Sequence, residues 1–435
     1  MEIAVIGGGL AGVEAARQVT RLGGNAVLYE MRPVVTTPAH RSGLLGELVC
    51  SNSLKSTDLT NAHGLLKEEM RILGSIVIET AEQTAIPGGK ALVVDRERFA
   101  LGLTDSIESD PRVRIVRREA TGIPEGTVII ASGPLTSDRL ANAIIQLTHA
   151  GNLFFYDAIS PIVDAESVDR DKSFYASRWS RDGTGDYLNC PLSREEYDTF
   201  YDALIAAEQI ELKDFEGAAY FEGCLPVEVL AERGKKTLAF GPMKPVGLVD
   251  PRDGRRPYAV VQLRKETASG NMLNLVGFQT RMKYPEQERV FRMIPALRNA
   301  VFLRYGSIHR NTYVNAPLCL NGKLQLKSDE RIFLAGQISG VEGYMESALM
   351  GLMAGISACL TARGGDFVPP PPTTCSGALI RYLTTETRNF QPMNINFGLL
   401  EGYSKKTKEA SVERCLEDIR GWKRQMGLEK NTPSC

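Results

Sequence analysis

The chain has 435 residues, of which 43% are hydrophobic and 24% charged, and a net charge of -1. That length allows two or three domains with ample core, and the composition is ordinary for a globular protein. A near-zero charge excludes a global basic field, so any nucleic-acid partner needs a local patch.

Ile3 to Ile6 form an apolar run suited to a buried parallel strand. Gly7, Gly9 and Gly12, with Gly8, Leu10 and Ala11 between them, fit G-x-G-x-x-G. The first glycine permits the tight turn, the second lets backbone approach a pyrophosphate, and the third lets helix pack close to strand. Val13 to Leu22 reads as helix, Gly23 and Gly24 break it, and Ala26 to Tyr29 is a second strand ending at Glu30. A carboxylate there can accept ribose hydroxyls, which favours NAD or FAD over NADP. Because this strand begins beside Met1, no signal peptide is expected.

Met31 to Lys55 reads as a long irregular loop, of the kind that is usually functional or disordered. Cys50 lies near its end, flanked by small polar residues. Helices are expected over Leu65 to Leu73 and Asp95 to Ser109, with Asp95 as N-cap. Val113 to Val116 and Val128 to Ala131 read as strands, the second running into Ser132-Gly133-Pro134, a turn that can bring backbone against a dinucleotide. From residue 151 to 298 the character changes to short strand-like runs, including Leu238 to Phe240, Tyr258 to Leu263 and Asn274 to Phe278. Cys224 lies there beside Gly223 and Pro226. Arg252 to Lys283 carries seven basic residues (252, 255, 256, 264, 265, 281, 283) against Asp253 and Glu266. Such a run is either a solvated face or an RNA patch.

Arg331 to Ala335 is again a strand, followed by Gly336, Gln337, Gly340, Gly343 and Tyr344, then a helix rich in small residues. A second glycine-bearing strand-to-helix junction can present N–H groups to a flavin, and two such turns favour FAD over NAD as the bound dinucleotide. The most apolar stretch, Ala348 to Ala362, is too short and too rich in small residues to span a bilayer. Residues 364–374, with four consecutive prolines, read as a stiff linker to a C-terminal helical tail with an amphipathic helix over Lys405 to Met426. The eight cysteines contain no C-x-x-C pair, so no metal site or thioredoxin-type motif is signalled. Reduced thiols in the cytoplasm are the default. The expected class is α/β: a Rossmann-like FAD-binding domain of the glutathione-reductase type from 1–150 and 299–435, with an inserted mixed α/β domain at 151–298.

Five segments together resemble the folate- and FAD-dependent tRNA (uracil-5-)-methyltransferases over nearly the whole chain. They are residues 5–12, 47–55 (Glu-Leu-Val-Cys-Ser-Asn-Ser-Leu-Lys), 221–226 (Phe-Glu-Gly-Cys-Leu-Pro), 241–245 (Gly-Pro-Met-Lys-Pro) and 334–344. The resemblance implies C5-methylation of a T-loop uridine of tRNA, with FAD, NAD(P)H and 5,10-methylenetetrahydrofolate, and no membrane or obligate protein partner. Carbon 5 of uracil becomes nucleophilic only after a thiolate adds to carbon 6. By family analogy Cys224 takes that role and Cys50 the proton removal or an equivalent auxiliary role, an assignment that is open to reversal. Thiolate formation needs a lowered pKa, to which Lys55 can contribute charge. His309 is expected to stack on a pterin or bond the flavin, and Tyr344 to contact the isoalloxazine.

Three rivals remain. A flavin disulfide reductase would need C-x-x-x-x-C, and position 55 is lysine. The related wobble-uridine flavoproteins are longer, with a helical C-terminal domain. A non-enzymatic flavin-bearing RNA-binding protein would tolerate loss of both cysteines.

Overall fold

Strand β1 (Glu2–Ile6) is buried along four of its five residues, and β2 (Asn25–Glu30) lies parallel to it, Glu2 opposite Asn25 and Ile6 opposite Tyr29. Helix α1 (Leu10–Arg21) crosses between them, as the glycine spacing requires. This computed structural model describes residues 1–37, 39–148, 153–179, 185–210, 225–387 and 390–429, without the side chains of 153–157, 309 and 310. The βαβ unit seeds a six-stranded sheet in the order Gln325–Leu326, Asp329–Leu334, Thr127–Ile130, β1, β2, Val113–Arg117. Every pairing is parallel except the Gln325 edge hairpin. Strand order reverses beside β1, and the carboxyl ends of β1 and Thr127–Ile130 therefore open a crevice at the switch point.

The helix after the second glycine turn spans Tyr344–Ala362 and runs against α1. A Cβ on Gly351 would stand 2.0 Å from the Ala11 carbonyl oxygen, so the small residues of this helix exist to let two backbones touch. At 19 residues it is longer than the sequence reading allowed, and by length and composition alone it could cross a membrane. Instead it is largely buried in the first domain's core. This corrects the judgement that the stretch is too short, while giving the small residues a reason.

Helices α2 (Ala62–Leu73) and Arg96–Glu108 form where periodicity predicts, and Asp95 caps the latter through N–H groups of Glu97 and Arg98. Helices Ile76–Gln83 and Asp138–Thr148 are additional. A small antiparallel sheet pairs β3 (Ser53–Ser56) with Ala91–Val94, so the end of the long loop is ordered.

The second sheet is antiparallel, in the order Phe174–Ala176, Tyr187–Leu192, Ala259–Lys265, Met272–Leu275, Ile162–Asp164, Phe302–Arg304. Its last strand comes from beyond residue 298. Its core is separate and includes Leu188, Tyr197, Phe200, Phe278 and Phe291. Leu238 to Phe240, expected as strand, is the helical turn Thr237–Phe240. Three apolar residues cannot declare their own period, and here the Met243 and Gly241 N–H groups fold back onto the Leu238 carbonyl. The two sheets are joined by one antiparallel ribbon, Leu153–Ile159 against Ser307–Tyr313.

The proline-rich segment lies against the first core: Phe367 is buried, and the Trp422 indole donates to the Val368 carbonyl at 2.7 Å. Helices Cys375–Thr384 and Lys408–Gln425 both pack on α2. Buried Glu69 of α2 accepts the Ser376 N–H at 3.0 Å and the Cys415 thiol at 2.8 Å, tying the three helices together.

Candidate functional site

Two adjoining cavities open at the carboxyl end of the parallel sheet. The first is lined by Gly7, Gly8, Gly9, Leu10 and Ala11 on one side and by Ser132 and Gly133 on another. Glu30, Gly336, Gln337 and Tyr344 complete the expected set there. Gly12 faces elsewhere: a Cβ on it would stand 1.7 Å from the Gly7 carbonyl oxygen, so it serves the turn. Gly340 lies under the Phe390 ring and reaches neither cavity.

The donors fit a dinucleotide. The N-cap of α1 is Gly9, with no side-chain cap and no acid in the first turn. A helix start left open in this way offers its N–H groups to a diphosphate. A Cβ on Gly9 would meet nothing within 4 Å, which leaves room for the ligand's approach. Glu30 accepts the Gly8 N–H at 2.8 Å and is held by Arg32, with Nε at 2.9 Å from Oε1. Burial acts to raise its carboxyl, but the Arg32 contacts outweigh it and keep the group ionised below its usual range.

The second cavity shares Gln337, Val49, Pro134 and Tyr344 with the first. Cys50 lines it, half-buried, with Lys55 and Gly343. Lys55 sits at φ 65°, a left-handed conformation that ends the Cys50 loop. The Tyr344 phenol accepts the N–H groups of Cys50 at 2.8 Å and Ser51 at 3.2 Å. Burial first, and then the charge of Cys50, push this phenol above its usual range, so it keeps its proton at neutral pH. Asn311 is buried and lines the same cavity, and its amide nitrogen has no hydrogen-bond partner among the described residues. A buried donor left open in a cavity wall marks a place for a ligand acceptor.

Beneath the Cys50 loop the two sheets are joined by charge. Arg96 pairs with fully buried Glu266 at 2.6 Å and donates to the Leu48 carbonyl. Arg304 donates to the Val49 carbonyl at 3.3 Å, and burial brings its guanidinium down to about 10. Arg264 reaches Asn52 Oδ1 at 2.9 Å and Ser51 Oγ at 2.8 Å. Residues of the second sheet thus hold the loop that carries Cys50.

The basic run of 252–283 is consequently split. Arg264 is buried against the loop, Arg252 is paired with Asp250, and Lys283 with Glu208. Arg255 and Arg256 remain exposed and share a surface cleft with Lys172, Arg194 and Arg298, beside Asp253 and Glu196. Cys224 and the His309 side chain lie outside the described residues. His63, Glu346, Asn311 and Asn394 line the second cavity and were missed in the sequence. Glu346 had a signal: a carboxylate opening an otherwise apolar helix.

Comparison with known proteins bears on this geometry. A family model described as Glucose inhibited division protein A matches residues 2–366. Two solved structures of Aquifex aeolicus GidA superpose with TM-scores of 0.72 and 0.73 at 18% identity, over 99% of this chain and 74% and 76% of theirs. At that identity the likeness concerns the fold. The chain is 54% identical over 427 residues to the Geobacter sulfurreducens protein named methylenetetrahydrofolate--tRNA-(uracil-5-)-methyltransferase TrmFO, covering 97% of this chain and 98% of that one. Proteins of the same name from Syntrophus aciditrophicus and Aquifex aeolicus are 52% and 53% identical over 98% of this chain, with 98% and 97% of their own lengths covered. A FAD-type α/β fold, a cysteine cavity beside the dinucleotide crevice and relatives matched end to end agree: the chain belongs to the TrmFO family of methylenetetrahydrofolate--tRNA-(uracil-5-)-methyltransferases, within the wider Glucose inhibited division protein A family.

Proposed function

We propose that this protein methylates carbon 5 of the T-loop uridine of tRNA, giving 5-methyluridine. The one-carbon unit comes from 5,10-methylenetetrahydrofolate, and NAD(P)H reduces the enzyme's FAD in the cytoplasm. The observation that carries the reading is that Cys50 lines a cavity sharing Tyr344 and Gln337 with the glycine-lined crevice. FAD, when bound, supplies the hydride that completes the methyl group.

The chain's own groups do the rest. A thiolate adds to carbon 6, making carbon 5 a nucleophile for the one-carbon unit. Cys224 is assigned this attack and Cys50 the proton removal. Support comes from the residues next to Cys224: the Val227 N–H donates to the carbonyl of Gln279 at 2.7 Å, and Gln279 lines the Cys50 cavity. The segment that follows Cys224 is thus tied to a residue of the cavity wall. His309 is assigned to the pterin or flavin, and Asn311 offers its amide to the uracil or pterin edge. The crevice residues named above are assigned to FAD. The division into 1–150 with 299–435, an insertion at 151–298 and a linker at 364–374 is kept, with the edge strand Phe302–Arg304 joining the insertion's sheet. The exposed Arg255 and Arg256 supply phosphate contacts, and the target base is flipped out of its stack.

The test is one reaction: tRNA lacking 5-methyluridine, NADPH and methylenetetrahydrofolate, with wild type and Cys224→Ala. Product from wild type alone is expected. Normal product from the variant removes Cys224 as nucleophile, and a colourless purified protein counts against FAD.

A further inference from the structure

The helical turn Thr237–Phe240 leaves a large ring in solvent. In a strand, Leu238 and Phe240 would point to one face. In a helical turn, residues two apart point to different sides, and here Leu238 is fully buried while Phe240 is 79% exposed. The ring nonetheless stands on a fixed support. Met243 is fully buried, its N–H donates to the Leu238 carbonyl at 2.8 Å, and its carbonyl accepts the Val260 N–H of the sheet at 2.9 Å. A single exposed apolar side chain is ordinary, but this one lines a surface cleft with Lys236, Lys244, Val246, Arg256 and Tyr258. The three cations are exposed, and no acid lines the cleft among the described residues. Lys235 next door is neutralised by Asp198 and Asp202 at 3.3 and 3.7 Å, whereas Lys236, Lys244 and Arg256 have no ion-pair partner among the described residues. In a chain of net charge -1, such a concentration of unpaired cations complements a polyanion. The cleft also continues, through Arg256 and Tyr258, into the one that holds Arg255.

Cations around an open aromatic ring are the composition of surfaces that follow a nucleic-acid backbone and stack its bases. The strand Ala259–Lys265 separates Tyr258 from Arg264 by about 20 Å, at about 3.3 Å per residue. Arg264 in turn holds the loop that carries Cys50. A ligand that fills the cleft while its uridine reacts must bridge that span, which an arm of tRNA does and a small metabolite does not. We propose that this cleft is a further contact point for tRNA, in which Phe240 stacks on an unpaired base and Lys236, Lys244 and Arg256 take the adjoining phosphates. The assignment rests on the methyltransferase reading and adds to it a recognition site remote from the cysteines. Affinity then depends on a nucleotide that is never modified.

The experiment measures tRNA binding by the full-length flavoprotein, using fluorescence anisotropy over a series of salt concentrations and a transcript that lacks 5-methyluridine. Phe240→Ala is expected to raise Kd roughly tenfold or more, the scale of one lost base stack, and to leave the salt dependence unchanged. Phe240→Leu, apolar but without a π-face, should bind as weakly as Phe240→Ala, and Phe240→Trp as tightly as wild type. The Lys236→Ala, Lys244→Ala double variant should flatten the slope of log Kd against log salt by about 1.5 to 2. Bound flavin, read by absorbance, should match wild type throughout, and the lysine pair carries the comparison should a Phe240 variant lose its flavin. A Kd within twofold of wild type for Phe240→Ala, or wild-type affinity in Phe240→Leu, overturns the stack; the second result makes the ring an apolar contact for a protein or a lipid surface. An unchanged slope in the lysine pair overturns the phosphate contacts. In each of these cases continued formation of 5-methyluridine leaves the methyltransferase reading standing. A wild type that binds no tRNA sinks that reading and the role of the cleft together.

Discussion

Replacing Tyr344 by Phe removes one oxygen and leaves two backbone donors without an acceptor. The phenol receives the N–H groups of Cys50 at 2.8 Å and Ser51 at 3.2 Å. An unmet buried donor costs about 1–3 kcal/mol. Both residues are half-buried, so the low end applies, about 1 kcal/mol each and about 2 kcal/mol together. The loss is local, since the ring itself stays. A 2 kcal/mol change in local opening corresponds to about a thirtyfold change in population. Hydrogen exchange followed by mass spectrometry should therefore show amides of the 48–54 segment exchanging about thirtyfold faster in Tyr344→Phe. The helix Ile76–Gln83 serves as the internal control. Exchange within twofold of wild type at residues 50 and 51 would refute the idea that this hydroxyl holds the cysteine loop.

Glu14 is fully buried, and desolvation raises its carboxyl to about 7. Unfolded, it titrates near 4.5, so the native state loses stability as pH rises between those values, by about 3 kcal/mol at most. Glu14→Gln should be more stable than wild type at pH 8 and no more stable at pH 4, measured by denaturant unfolding; an advantage of equal size at both would contradict this. Gly351→Ala places a Cβ 2.0 Å from the Ala11 carbonyl oxygen, and overpacking of that kind costs about 1–3 kcal/mol. A lowered melting temperature with weakened flavin retention is expected, and an unchanged melting temperature would deny the close approach. The Arg255→Ala, Arg256→Ala double variant should bind tRNA more weakly and with a flatter salt dependence, whereas unchanged affinity in a filter-binding titration would move the RNA surface elsewhere.

What the sequence reveals here follows the distance over which each feature is encoded. Gly7, Gly9 and Gly12 act on neighbours within a single turn, so the first βαβ unit is legible from spacing alone. Asp95 caps the helix that starts at Arg96 by accepting an N–H three residues on, and is legible for the same reason. The run Leu238 to Phe240 misleads because its conformation is set by capping onto Gly241 and Met243 rather than by its own pattern. The basic run misleads differently: cations that share one stretch of sequence part company once the strand Ala259–Lys265 turns Arg264 inward while Arg255 and Arg256 stay exposed. His63 and Glu346 come from two helices far apart in the chain, and only the packing of α2 beside the Tyr344–Ala362 helix brings them together. No local motif encodes that pair.

The ribbon of Leu153–Ile159 and Ser307–Tyr313 carries both crossings between the sheets side by side. Ile159 on one strand and Asn311 on the other both line the cysteine cavity. Rocking one sheet against its neighbour must therefore twist this pair of strands. Every such twist reshapes the cysteine cavity, so the angle between the two sheets and the shape of that cavity are mechanically linked.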